Sequence, residues 1–233
     1  MAQQKATDSV ASERARAVNV QAGDVRLDGR LAVPPRARGL VILIHGAGMT
    51  REAPSFRATA QALFRTGFAT LLLDLLTPEE TAQDAWSEHL SFDVGFRAKR
   101  LEGAARWALA NPETQALRIG CLGMGTGGAV ALLVAAAQPE VVHAVVSLGG
   151  RPDLAGTALA RVKAPTLFVI GSLDLPVIAL NEEAFRLLTA PKELKLVQEA
   201  NHLFEAPGTL EAADRLACDW FERYLALGGG GMA

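Results

Sequence analysis

Short apolar runs alternate with helical patterns along most of the chain. The run at 40–45 (LVILIH) is apolar almost throughout, as expected for a strand that is buried on both faces. Five further strands are predicted at 68–74, 117–122, 141–148, 166–171 and 194–198, and the helical patterns fall near 54–66, 92–110, 126–138, 153–161, 178–189 and 209–227. This alternation predicts an α/β fold of three layers, with a predominantly parallel central sheet and helices on both faces.

The ends of the chain differ from this central pattern. Residues 17–33 predict an antiparallel pair that opens the sheet, whereas polar residues 1–15 predict disorder and residues 228–233 a flexible Gly-rich tail. A single domain is therefore expected over 16–227. The connection after Leu148 is under about twenty residues, so no large cap domain is expected. The charged segment 77–84 (TPEETAQD) is expected to be solvated surface.

Composition narrows the class of protein. With 233 residues, 50% apolar content and a net charge of -2, the chain fits one core and has no basic footprint for nucleic acid. It has neither an apolar signal segment nor a run long enough to cross a membrane, which predicts a cytoplasmic protein. We expect a monomer or homodimer that acts on a small molecule. Cys121 and Cys218 lie within apolar patterns and are expected to be buried thiols rather than a disulfide.

The glycine-rich run 123–128 (GMGTGG) fits two motifs with different chemistry. As G-x-G-x-x-G it would hold a dinucleotide pyrophosphate, but that fingerprint usually opens its domain and is followed by a strand ending in Asp or Glu. Here other parallel strands precede it, and strand 141–148 ends in Leu-Gly-Gly. As G-x-S-x-G it is a nucleophile elbow with Gly123 and Gly127 as flanks and Gly125 at the nucleophile position. The elbow is the favoured interpretation, and dinucleotide binding by an oxidoreductase is the distant alternative.

An elbow requires an acid and then a histidine downstream, and both are present. Asp174 follows strand 166–171, and His202 follows strand 194–198. Taken alone, Asp174 could equally be a helix cap or turn residue, and a loop histidine is more often solvated than catalytic. Their occurrence at successive strand ends, in the required chain order, predicts a catalytic pair. The backbone N–H groups of Ala47 and Thr126 are the expected oxyanion-hole donors.

The span from about Leu40 to Leu225 resembles the small dienelactone-hydrolase-like branch of the α/β-hydrolases. The resemblance rests on several blocks in the right order: HGAG, LLLDLLTPEE, GMGTGG, GGRPDLAG, GSLD and NHLFEAPG. It implies the α/β-hydrolase fold and a capless esterase or lactonase without metal or organic cofactor. It would make Asp174 the acid, His202 the general base, and Ala47 and Thr126 the oxyanion donors. The family's serine or cysteine nucleophile maps to Gly125.

Glycine at the nucleophile position removes the hydroxyl or thiol that acyl transfer needs. Loss of a triad nucleophile typically lowers turnover about 10⁶-fold, so the chain is expected to be nearly inactive as a serine hydrolase. Three explanations are open: an engineered inactivation, a natural loss that leaves a ligand-binding pseudoenzyme, or a substitute nucleophile. Among substitutes, a water held by His202 is favoured over the neighbouring Thr126 and the buried Cys121.

Further residues near the predicted strand ends are candidates for substrate binding. Gly46 and Gly48 would let the backbone approach a substrate, and Arg51 and Arg151 could hold a carboxylate unless they form local ion pairs. Apolar contacts are expected from Met49, Met124 and Phe204. Asp153 is expected to cap the helix that begins after Pro152.

Overall fold

The computed structural model describes residues 15–226, so the predictions for 1–14 and 227–233 lie outside the described chain. The strands within it are β1 Arg16–Ala22, β2 Val25–Ala32, β3 Leu40–Ile44, β4 Ala69–Leu73, β5 Ile119–Met124, β6 Val142–Leu148, β7 Thr166–Gly171 and β8 Lys192–Val197. They form one sheet in the order β1-β2-β4-β3-β5-β6-β7-β8. The strands from β3 to β8 pair in parallel, whereas β1 pairs with β2 and β2 with β4 in antiparallel fashion.

Helices cover both faces of this sheet. They are α1 Pro54–Arg65, α2 Pro78–Asp84, α3 His89–Phe92, α4 Val94–Ala110, α5 Thr126–Ala137, α6 Leu175–Leu187 and α7 Thr209–Tyr224, with a 3-10 segment at Pro152–Arg161. Because successive side chains of a strand point to opposite faces, Ile42 belongs to the buried cluster that includes residues of α4, α5 and α6, whereas Leu43 belongs to the cluster that includes residues of α1 and α7. All five residues of β3 are buried, as its uninterrupted apolar run predicted. The predicted three-layer α/β fold is confirmed.

Parallel pairing brings the carboxyl ends of β3, β5, β7 and β8 to the same edge of the sheet. The loops that leave this edge carry the HGAG run, the glycine-rich turn, Asp174 and His202. Between β6 and β7, the described chain contains only the 3-10 segment and short turns, in place of any inserted domain.

The segment at 77–84 is mostly exposed, as expected, with Asp84 as its one buried residue. It forms α2, because the Thr77 hydroxyl accepts the Glu80 N–H and the Glu80 carboxylate accepts the Thr77 N–H, a reciprocal cap. Asp84, at the end of α2, is 4% exposed and accepts the backbone N–H groups of Leu90 and Ser91. Its hydrogen bonds outweigh the effect of burial and lower its pKa to about 2. The carboxylate therefore organises the turn into α3 instead of facing water.

Helix boundaries also shift from those predicted. The helix expected from about 178 begins at Leu175, directly after Asp174. The helix expected over 92–110 is interrupted at Asp93, between the end of α3 and the start of α4. Helix α4 begins at Val94 because the Asp93 carboxylate accepts the Phe96 N–H.

Candidate active site

The turn between β5 and α5 has the conformation of a nucleophile elbow. Gly125 lies between the two elements with φ 53° and ψ -127°, a conformation that L side chains rarely adopt. A Cβ added at Gly125 would meet only Gly46 Cα, at 3.5 Å, which is ordinary contact. By contrast, a Cβ at Gly123 would lie 2.2 Å from the carbonyl oxygen of Gly127. The flank at Gly123 therefore has to be glycine, whereas the central position has room for a side chain.

Asp174 and His202 meet at the rim of this turn. His202 Nδ1 lies 2.7 Å from Asp174 Oδ2, with the histidine side chain 47% exposed and the aspartate 11% exposed. Asp174 occupies the N-cap position of α6, yet its carboxylate makes no capping hydrogen bond and faces His202. A carboxylate accepts, so Nδ1 carries the proton and the second ring nitrogen, Nε2, is left as a base. The two residues have the arrangement of a general base and the acid that orients it.

The two expected oxyanion donors lie side by side, but they are not equally free. Thr126 is the first residue of α5, where backbone N–H groups lack a partner within the helix. The N–H of Ala47, however, donates to Oγ1 of Thr126 at 3.0 Å. A substrate oxygen that binds here would have to share or replace this hydrogen bond. The assignment of both N–H groups as oxyanion donors stays a prediction.

A cleft of about 540 Å³ opens above the elbow. Gly125, Thr126, Ala47, Asp174 and His202 all line it. Of the predicted substrate-binding residues, those that also line it are Gly46, Met49, Met124, Arg151 and Phe204.

Gly48 and Arg51 lie elsewhere, in a second cleft of about 550 Å³ behind the Gly46–Met49 loop. The Arg51 guanidinium pairs with Asp74 there, and the Arg51 backbone N–H donates to the same carboxylate at 2.8 Å. Arg51 is therefore separated from the catalytic pair by the loop itself, a placement that its position in the sequence did not reveal.

Arg151 is on the rim of the catalytic cleft but is already held by a carboxylate. Its Nε and Nη2 donate to the two oxygens of Asp153 at 2.9 and 2.8 Å, which raises the pKa of Arg151. Asp153 thus pairs with Arg151 rather than acting as the predicted cap, and Arg151 itself occupies the N-cap position of the 3-10 segment. The backbone N–H of Arg151 donates to the Gly125 carbonyl at 2.9 Å, so this loop also braces the elbow.

A second histidine–aspartate pair, not predicted from the sequence, lies in the second cleft. His45 Nε2 is 3.0 Å from Asp74 Oδ1, an ion-pair distance without the alignment of a regular hydrogen bond. Burial raises the pKa of Asp74, but the interactions with His45 and Arg51 outweigh it and hold that pKa below its ordinary value. In the sequence, Asp74 directly follows β4, at the same edge of the sheet as the HGAG run, and this was the available signal for the pair.

Arg97, on α4, is the other residue that the sequence left unassigned. It is 2% exposed, and its guanidinium donates to Thr126 Oγ1 at 2.9 Å, to the Ser91 carbonyl at 3.2 Å and to the His45 carbonyl. Burial lowers its pKa to about 10, so it remains a cation at neutral pH. Its position four residues before the buried Leu101 on the apolar face of α4 was the signal that an arginine is buried.

Both thiols are buried, as predicted. Burial raises the pKa of Cys121 to about 12 and that of Cys218 to about 11, so neither is poised to react as a thiolate. Within residues 15–226, no group of three or more His, Cys, Asp or Glu side chains is arranged to hold a metal ion. No helix in this part of the chain has the length and apolar character needed to cross a membrane.

The chain belongs to the dienelactone hydrolase family, since residues 27–227 match the model of that family. A solved structure named dienelactone hydrolase, from Anabaena variabilis, is 51% identical with a TM-score of 0.89, covering 91% of this chain and 98% of that one. The esterase domain of a Rhodothermus marinus protein is 20% identical with a TM-score of 0.70, covering 90% and 98%, and shows the fold alone. The predicted family and α/β-hydrolase fold are therefore confirmed.

Two curated Mycobacterium tuberculosis proteins, both named "Putative phosphoribosyl transferase", are also similar. Each is 47% identical over 209 residues, which are 89% of this chain but 46% of the relative. The chain thus spans less than half the length of the curated relatives it matches.

Proposed function

We propose that this chain is a hydrolase scaffold for carboxylic esters or lactones that binds its substrate above the elbow but does not form an acyl-enzyme. One observation carries the proposal: a histidine–aspartate pair at 2.7 Å lines the same cleft as an elbow whose central residue, Gly125, has no hydroxyl. The base and its orienting acid are in place, and the group that the base would deprotonate is absent.

The remaining groups support a slower route. A water held by His202 Nε2 would attack the ester carbonyl carbon, passing its proton to the imidazole while the oxyanion forms beside the Thr126 N–H. Collapse of the tetrahedral intermediate then breaks the bond to the leaving oxygen, which takes the proton back from His202. An oxyanion hole and binding site without a nucleophile typically give roughly 10³- to 10⁴-fold acceleration over water.

A second candidate is a ligand-binding protein without turnover, and Gly125 itself favours it. The two candidates share the cleft and differ only in whether His202 activates water. They are separated by the His202→Ala variant of the chain as it stands: complete loss of any slow ester hydrolysis supports the water route. Equal hydrolysis before and after the change supports pure binding.

The names of the Mycobacterium tuberculosis relatives suggest transfer of a phosphoribosyl group, a chemistry that has to hold a pyrophosphate. Among the described residues that line the catalytic cleft, Arg151 is the single lysine or arginine, and Asp153 already pairs with it. The site therefore supports hydrolysis better than phosphoribosyl transfer. The dinucleotide alternative is likewise disfavoured, because the glycine run matches the family's elbow. A cytoplasmic location stays a prediction.

The direct test is hydrolysis of p-nitrophenyl butyrate by the chain as it stands and by the Gly125→Ser and Gly125→Ala variants. The added Cβ has room at this position, and the strain of an L side chain at φ 53° is on the order of 1–3 kcal/mol, so both variants are expected to fold. We expect Gly125→Ser to raise kcat/KM by at least about 10³-fold, since it restores the nucleophile. Gly125→Ala, which adds the Cβ without the hydroxyl, should remain at the original level. Equal rates in the serine and alanine variants would overturn the proposal.

A further inference from the structure

Arg97 is a buried cation whose hydrogen-bond acceptors are all uncharged. They are one hydroxyl and two carbonyl oxygens, and within the described chain no carboxylate contributes to its pKa. Taking a guanidinium out of water without an opposite charge is costly. Arg97 also lines the second cleft, where Asp74 and Asp84 lie, but its hydrogen bonds go to neither carboxylate. Its charge is therefore not paired by a hydrogen-bonded carboxylate.

Two of the three acceptors of Arg97 lie on opposite walls of the predicted oxyanion hole. Thr126 follows the elbow, and the His45 carbonyl immediately precedes the Gly46–Met49 loop. Oγ1 of Thr126 also accepts the Ala47 N–H at 3.0 Å. One side chain from α4 thus joins the loop after β3 to the start of α5, and its charge lies one hydrogen bond away from Thr126, whose hydroxyl accepts the Ala47 N–H.

We propose that Arg97 is the positioning residue of the oxyanion hole and that its unpaired charge makes the pocket above Gly125 prefer an anion over a neutral ligand of the same shape. This inference rests on the proposed function for the identity of the pocket. A cation that is itself held out of water, as Arg97 is, interacts with a nearby negative charge more strongly than one in bulk water. Arg97 acts through Thr126 and the His45 carbonyl rather than by touching the substrate.

Binding of butyrate and of butyramide to the chain as it stands tests the proposal without requiring turnover. The two probes have nearly the same shape and differ in charge, and their binding can be followed by NMR titration. We expect butyrate to bind at least about fivefold more tightly. Arg97→Gln, which keeps hydrogen-bond donors but removes the charge, should abolish this preference, and Arg97→Lys should largely preserve it.

The matched control is Arg100→Gln. Arg100 lies on the same helix, but its charge is already paired with Glu80 at 2.6 Å, so the preference for butyrate should be unchanged. If Arg97→Gln does not fold, the inference is tested by how the preference for butyrate in the original chain depends on salt. A buried charge is weakly screened, so the preference should persist from about 0.05 M to about 0.5 M NaCl.

Equal binding of butyrate and butyramide by the original chain would overturn the inference, as would an unchanged preference in folded Arg97→Gln or loss of the preference in salt. Failure of the proposed function looks different. In that case Gly125→Ser would remain inactive towards p-nitrophenyl butyrate while the preference for butyrate, and its dependence on Arg97, persisted.

Discussion

Among residues 15–226, two histidine–aspartate pairs lie at the same edge of the sheet, and they differ in what surrounds each ring. His202 is 47% exposed and hydrogen-bonds Asp174 through Nδ1, and its second nitrogen is free of protein partners in the described chain. His45 is 12% exposed, with Nδ1 2.8 Å from the Gly46 carbonyl and Nε2 3.0 Å from Asp74. Both nitrogens of His45 therefore lie against oxygen atoms of the protein, and neither is left open towards a substrate.

The comparison shows that proximity to aspartate does not by itself make a histidine a base. One ring nitrogen has to remain free and to face the cleft. His202 meets this condition, whereas His45, Asp74 and Arg51 bind one another beside the Gly46–Met49 loop and hold it in place. We therefore propose that the first pair is catalytic and that the second positions the loop, and the following predictions test that division.

The largest difference is expected in turnover, measured in the Gly125→Ser background with p-nitrophenyl butyrate. His202→Asn should lower kcat by at least about 10⁴-fold, because it removes the base that activates the nucleophile. His45→Asn should lower it by about tenfold or less, since it loosens the loop without removing a reacting group. Comparable losses in the two variants would break the distinction between the pairs.

Asp74→Asn should affect stability more than Asp174→Asn does. Removing one charge of a partly buried pair leaves His45 and Arg51 without their carboxylate, at a cost of roughly 2 to 3 kcal/mol in the free energy of unfolding. Because the folded pKa of Asp74 lies below 3.8, its contribution is present at neutral pH and is lost as the pH falls through that folded value. Urea unfolding at pH 7 and at about pH 3.5 checks this, and a difference that grows on acidification would contradict it.

Asp214 differs from Asp74 because its hydrogen-bond donor is an uncharged hydroxyl rather than a histidine or an arginine. Burial raises its pKa to about 7, although Thr59 Oγ1 donates to Oδ1 at 2.7 Å. A raised folded pKa means that stability is lost as the pH rises from 3.8 through about 7. Asp214→Asn should therefore increase the free energy of unfolding by roughly 1 to 2 kcal/mol at about pH 8, and by less at about pH 5.

Thermal unfolding of Asp214→Asn at both pH values provides the measurement. Asp219→Asn is the matched control, because Asp219 is exposed on the same helix and should give little change. A stabilisation of Asp214→Asn that is equal at the two pH values would contradict the raised pKa of this buried carboxyl group.

The sequence was sufficient for the parts of the site that follow from chain order and local pattern. Apolar runs such as β3 identify buried parallel strands, and parallel strands place Asp174 and His202 at one edge with the elbow. Flanking glycines identified the elbow because a side chain at Gly123 would collide with the turn. These features depend on short segments, and any fold that pairs the strands in parallel produces them.

The remaining features depend on contacts between segments that are distant in sequence. Arg97 reaches Thr126 across 29 positions, and Arg51 turns towards Asp74 rather than towards the catalytic cleft. No periodicity reveals which side of a loop a long side chain takes. The hydrogen bond from the Ala47 N–H to Thr126 Oγ1 is likewise a property of the packed loops. Because of it, one of the two expected oxyanion donors already has a partner.

The most direct measurement is the intact mass of the chain after exposure to a fluorophosphonate, which phosphonylates an activated serine. The chain with Gly125 should remain unlabelled, the Gly125→Ser variant should gain one phosphonyl adduct, and Gly125→Ser combined with His202→Asn should lose that reactivity. This outcome would establish an intact base and acid beside an elbow that lacks only its nucleophile. A folded Gly125→Ser variant that takes no label, or a label on the original chain, would contradict the account.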